Sequence, residues 1–223
     1  MVNLNGIFKW LYDLGNWLAK IMYLHFLWIA FTLVGLVVFG ISPATAALVS
    51  VIHKWFDEDL NIPIFKNFYS VYKKQFMKSN GLGAILIGFG LFLYGDYQIS
   101  QQFIQSFYFH AFLLIISFLY LITFLYFFTI FARYELKFFY YFIQSFLIAI
   151  ARPFETIAMI ISLFLLSFLF NVLPILFLFM GTSLIFYPLV WFSYRACLGA
   201  EEKKDKLSNE QLEISPEGNR INK

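Results

Sequence analysis

Residues 21–40 read IMYLHFLWIAFTLVGLVVFG and hold no Asp, Glu, Lys or Arg. A helix rising ~1.5 Å per residue covers ~30 Å over such a run, the thickness of a bilayer's hydrocarbon core. Similar apolar runs recur at 82–97, 109–131, 154–171 and 173–193. The expected fold is all-α: a polytopic transmembrane helical bundle of five spans, multi-pass in the cell membrane, with interfacial amphipathic helices. Residues 1–200 form a single transmembrane domain, with cytoplasmic-side helices at 43–55, 63–79 and 136–151. Residues 201–223 are charged and polar and are expected to be a disordered cytoplasmic tail.

Composition agrees with that reading. The chain of 223 residues is 61% hydrophobic and 13% charged, where soluble domains carry about 25% charged residues. Its mean hydropathy is +0.74. Membrane lipid is the first partner this composition implies. Phe occurs 31 times and Tyr 14 times. Tolerance for any large apolar side chain explains this better than a sugar-stacking aromatic surface. A net charge of +3 gives no case for nucleic acid. Cys197 stands alone, so no intrachain disulfide is possible. Ala44-Thr45-Ala46 after the first run has the look of a signal-peptidase site, but the run is too long for a signal core and about twenty residues precede it.

Charge distribution suggests an orientation. Lys54, Lys66, Lys73, Lys74 and Lys78 lie between the first two runs, and Arg133, Lys137 and Arg152 between the third and fourth. Arg195, Lys203, Lys204, Lys206, Arg220 and Lys223 follow the fifth. Positive residues gather on the cytoplasmic side. Five spans with the N-terminus outside and the C-terminus inside leave only Lys9 and Lys20 on the other face. The segment 136–151 is apolar but short, with basic residues at both ends. It reads as a helix in the inner leaflet or wedged against the cytoplasmic end of the bundle.

Local patterns add detail. In 6–20, Ile7, Trp10, Leu11, Leu14, Trp17 and Leu18 share a stripe, which suits an interfacial helix or a plain extension of the first span. Ser42-Pro43 resembles a helix start, Ser capping and Pro at the first helical position. Pro63 opens a second helix, with Phe65, Phe68, Tyr69, Tyr72 and Phe76 along one face and Lys66, Lys73, Lys74 and Lys78 crowding the rest, an arrangement suited to an anionic leaflet. Gly81, Gly88 and Gly95 recur at seven on one face of the second span, and Gly83 and Gly90 on roughly the opposite face. Both sets predict close helix packing.

Candidate chemistry is sparse. His25, Asp96 and His110 lie near the outer ends of their spans and are the one conceivable metal or proton cluster; solvated headgroup-level residues are the plainer reading. Arg133, Glu135, Arg152 and Glu155 read as ion pairs at the inner ends. No Walker motif, HExxH or nucleophile elbow occurs. No enzyme activity, cofactor or metal is expected.

One stretch carries a resemblance. GISPATAALVSVIHKW, Gly40 to Trp55, followed by IPIFKNFYSVYKKQF, Ile62 to Phe76, resembles the YesL family of small bacterial membrane proteins. The matching positions are Gly40, Pro43, Ala44, Thr45, Ala47, Lys54, Trp55, Pro63 and Phe65, with His53 where the family often has a basic residue. The resemblance runs more loosely to about residue 198. It implies an accessory membrane subunit or chaperone of a bacterial carbohydrate ABC importer, with the permease subunits as candidate partners; in such a role helices 43–55 and 63–79 are expected to dock on another protein. It supplies no catalytic residues. The alternative is a stand-alone small-solute transporter or channel, which requires a polar path between the spans.

Overall fold

The computed structural model describes residues 6–103 and 107–214, and these contain seven helices and no strand. They are α1 (Gly6–Val34), α2 (Val38–Asp57), α3 (Ile64–Phe103), α4 (Phe107–Arg133), α5 (Tyr140–Ala151), α6 (Pro153–Val172) and α7 (Pro174–Ile214). Five of them, α1, α3, α4, α6 and α7, contain stretches long and apolar enough to cross a membrane. Residues lying in 104–106, and in 215–223 of the expected tail, fall outside the described residues.

Several boundaries differ from expectation. The stripe at 6–20 is not a separate helix but continues into α1 without a break. The run 21–40 does not stay in one helix, because α1 ends at Val34 and the chain reverses over Gly35–Val37. The helix expected at 43–55 starts five residues early, at Val38, with Val37 in the N-cap position. Pro43 therefore sits inside α2 and Ser42 caps nothing. The helix expected at 63–79 and the second span are one 40-residue helix, α3. The segment 136–151 yields only the 12-residue α5, ~18 Å long and too short to span. The chain beyond Glu201, expected to be disordered, continues as α7 to Ile214.

α2 is the centre of the molecule. It packs against α1, α3, α4 and α7, and every residue from Ser42 to Val49 is buried. Small residues make this possible. Ala44, Ala46 and Ala47 are at most 1% exposed, and such side chains let neighbouring backbones come close. α1 and α2 run antiparallel: Lys20 Nζ donates to Asn61 Oδ1 beyond the end of α2 at 3.0 Å, and Trp28 Nε1 donates to Thr45 Oγ1 at 3.1 Å. Phe31 near the end of α1 lies among Phe65, Phe68, Tyr69 and Tyr72 of α3, and Tyr72 donates its hydroxyl to the Phe31 carbonyl at 3.0 Å.

The reversal between α1 and α2 is tight. Leu36 and Val37 have φ of 57° and 62°, a region where each non-glycine residue costs of order 1–3 kcal/mol. Val38 N–H donates to the Leu36 carbonyl at 2.7 Å, closing a three-residue turn around Val37. Gly40 is held directly against the Thr32 backbone, and a Cβ there would collide with the Thr32 carbonyl.

A comparison of glycines follows. Gly40→Ala should lower the thermal midpoint in detergent, by the equivalent of about 1–3 kcal/mol of overpacking, since backbone cannot yield. Gly88→Ala, with nothing within 4 Å, should leave the midpoint unchanged or raised. Equal effects would contradict this packing.

Candidate functional site

The polar side chains collect where the ends of α2 and α4 meet α7. His53, Lys54 and Asp57 come from the last turn of α2, Arg133 from the end of α4, Tyr134 from the residue after it, and Tyr194 and Glu201 from α7. They form a network around a polar cleft of about 460 Å³ that Ser50 and Glu58 also line. α2 brings His53 and Asp57 to one face because they are four residues apart; His53 Nδ1 lies 2.8 Å from Asp57 Oδ2.

The strongest element is Arg133 with Glu201. Nε donates to Oε1 at 3.1 Å and Nη2 to Oε2 at 2.7 Å, a two-pronged pair. The Arg133 side chain is 16% exposed, and Glu201 39%. Tyr134 donates its hydroxyl to the same carboxylate. The guanidinium stacks over the Tyr194 ring at 5.2 Å, and that ring packs edge-on against His53. This network fastens α7 to α4 and α2 at the point where α7 turns from apolar to charged sequence.

Two groups outside the spanning segments have shifted acidities. Burial holds the His53 imidazole below its usual 6.5; Asp57 opposes this, and Arg133 adds to it. Burial pushes the Tyr134 phenol up, and the Glu201 carboxylate beside it adds to that.

The remaining candidates are dispersed. His25 bridges α1 to α7: Nε2 lies 3.2 Å from the Leu178 carbonyl and Thr182 N–H donates to Nδ1 at 3.3 Å. A neutral ring protonated on Nε2 satisfies both bonds. His110 is 3.2 Å from Ser100 on α3. His25, Asp96 and His110 thus do not converge, and no group of three potential metal ligands occurs among the described residues. Lys74 pairs with Glu135 at 3.3 Å in an exposed position, where such a pair adds little. Arg152 Nη1 lies 3.9 Å from Glu155 Oε1, at the start of α6 and directly over Gly199.

The motif residues are mostly interior. Gly40, Pro43, Ala44, Thr45, Ala47 and Trp55 are buried against the chain's own helices, and Lys54 donates to Asn67 Oδ1 at 2.8 Å. Phe65 and Pro63 are exposed, as are Lys66, Lys73 and Lys74. Lys78 turns inward instead, donating to the Tyr141 hydroxyl at 2.8 Å and lying over that ring. Of the glycines, Gly83 faces Ser42, Gly90 faces Tyr120 and Gly81 faces Phe138, while Gly88 and Gly95 have nothing within 4 Å. Glu201 was not singled out in the sequence as the partner of Arg133, 68 residues away. The available signal was the Glu201-Glu202 pair just past the last apolar run.

Two outcomes test the network. Arg133→Met should destabilise the protein by about 1.5–3 kcal/mol, the value of hydrogen bonds to a charged group, read as a lower midpoint in detergent. Combining it with Glu201→Gln should cost less than the sum. Because the fold favours neutral His53, its contribution is present above 6.5 and lost as pH falls below it. The midpoint should drop between about pH 7 and pH 5, and His53→Gln should flatten that drop; an unchanged profile would remove His53 as the cause.

The family model "Protein of unknown function, DUF624" matches residues 21–97. The chain is 33% identical over 208 residues to "Uncharacterized protein YesL" of Bacillus subtilis (strain 168), covering 92% of this chain and 98% of that protein. It is 34% identical to "Uncharacterized protein YteU" of the same organism, over 84% of this chain and 85% of that one. "Uncharacterized protein YesV" is also 34% identical, over 79% and 86%. No solved structure matches.

Proposed function

We propose, on the premise that this chain belongs to the YesL-like DUF624 family of membrane proteins of unknown function, that it is a non-enzymatic partner subunit of a transport complex. The complex is a bacterial carbohydrate ABC importer, as the family resemblance implies, and the contact is with its permease subunits inside the bilayer.

The observation that carries this reading is the open glycine face of α3. Gly88 and Gly95 are seven residues apart, so they share a face, and beyond the backbone of α3 itself no atom lies within 4 Å of where a Cβ would stand on either. Glycine lets another backbone approach closely, and small residues mark helix–helix contacts in membranes. Here the chain supplies no such neighbour. The clefts along α3 and α4 point the same way. One of about 490 Å³ is lined by side chains such as Ile85, Phe89, Leu119 and Phe142. Such walls suit another helix or lipid better than a hydrated solute, which disfavours the channel alternative. Exposed Lys66 and Lys73 on the first half of α3 are placed to meet anionic headgroups at the edge of such a contact.

Co-purification tests it. The tagged protein, extracted from its native membrane in a mild detergent, should bring down an importer permease and its ATPase. Gly88→Leu with Gly95→Leu should cut that recovery several-fold while leaving the thermal midpoint of the isolated chain unchanged. Recovery of the wild-type chain alone would overturn the proposal.

A further inference from the structure

The connection between α1 and α2 reads Leu33-Val34-Gly35-Leu36-Val37-Val38-Phe39, and none of these side chains can form a hydrogen bond. It is also bare: Leu36 is 79% exposed and Val34 74%. An interhelical turn in water normally carries Gly, Asn, Asp, Ser or Pro, which set its backbone or bond to it. This one carries a single glycine.

The backbone of the turn is closed on itself. The N–H groups of Gly35, Leu36 and Val37 donate to the carbonyls of Phe31, Leu33 and Thr32 at 3.1, 3.0 and 2.9 Å. Val38 donates to Leu36, and Gly40 and Ile41 both donate to Val37. That closure requires positive φ at Leu36 and Val37, the two non-glycine residues with positive φ among those described. In water the strain would be needless, since amides could bond to solvent and a longer polar loop would relax both residues. In hydrocarbon no solvent donor or acceptor exists, and each amide must find a protein partner. A strained apolar turn in which the N–H groups of Gly35, Leu36, Val37 and Val38 all find protein acceptors fits that solvent.

The ends of the same hairpin are of the opposite character. Lys20 meets Asn61 just beyond α2, and Asp57, Glu58 and Asp59 lie at that level. We propose that α1 and α2 form a re-entrant hairpin whose turn, Leu33 to Phe39, is immersed in the hydrocarbon of the bilayer, so that α1 enters and returns rather than crossing. Lipid chains are the occupant because every side chain of the turn is apolar and the polar group against it, the Tyr72 hydroxyl, is spent on the Phe31 carbonyl, whereas protein interfaces carry a polar rim. α3, α4, α6 and α7 are then the crossings, an even number, and both termini face the same side. This reverses the side expected for the N-terminus, and it brings Lys9 and Lys20 to the face that holds the other basic residues, as charge asymmetry favours.

Single-cysteine variants in a Cys197→Ser background, reconstituted in phospholipid vesicles, test it. A nitroxide on Leu36→Cys, and separately on Val34→Cys, should collide freely with oxygen and poorly with a water-soluble nickel complex. Frequent nickel collisions would place the tip in water, and low collision rates with both would place protein over it; either overturns the proposal. In sealed membrane vesicles, Lys9→Cys and Lys203→Cys should react with an impermeant maleimide from the same side, with Leu36→Cys at least ~10-fold slower from either side. Reaction of Lys9→Cys and Lys203→Cys from opposite sides would also overturn it.

Discussion

In hydrocarbon, a backbone amide can bond only to protein. That constraint accounts for most of what is seen. The described chain is helix with very short connections, and where it reverses most sharply, at Gly35–Val37, it accepts two unfavourable backbone conformations and leaves those three amides bonded. Side-chain polarity obeys the same rule. Thr156 Oγ1 lies 3.0 Å from the carbonyls of Ala149 and Arg152, which share its one proton, and can accept from the Tyr126 hydroxyl; Ser145 Oγ donates to the Tyr141 carbonyl. His25 spends both ring nitrogens on α7.

Packing between helices has less hydrophobic drive in lipid than in water, because the displaced lipid is as apolar as the side chains. Close approach supplies the attraction instead. α2 shows this best: its alanines admit α1, α3, α4 and α7 on all sides. Charged groups are the complement. Excluded from that interior, they gather at the polar end of α2, where Arg133 and Glu201 join elements distant in sequence and Tyr194 and Tyr134 cover the pair.

How much of this could be read from sequence depended on what each pattern reports. Hydropathy reports solvent, so the apolar runs were legible, and so was the shortness of 136–151. Hydropathy is blind to where a helix ends if both sides of the end are apolar. Nothing in LVGLVVF distinguishes a turn from a span, and the run 21–40 hid one. Ser42-Pro43 misled for a related reason. Proline usually marks a first turn, but within a bundle its missing N–H and the freed Phe39 carbonyl can be accommodated by neighbours, and α2 starts at Val38. The Arg133–Glu201 pair was hidden because the two residues adjoin different apolar runs, and only the tertiary fold brings α7 back to α4.

The glycines of α3 carry the last step. Gly83 and Gly90 lie on one face, Gly88 and Gly95 on another about 140° away at ~100° per residue. The first face is used: Ser42 of α2 presses on Gly83, and Tyr120 of α4 closes over Gly90 and donates to the Leu86 carbonyl at 2.9 Å. Each of these contacts would be blocked by a Cβ, so those glycines follow from the fold of one chain. No such reason applies to Gly88 and Gly95, which have open space before them and make α3 a poorer helix by about 1 kcal/mol each relative to alanine. A helix with two narrow faces has room for two close neighbours. This chain fills the first with α2 and α4, while on the second Phe138 packs at Gly81 and the stretch from Gly88 to Gly95 is left open.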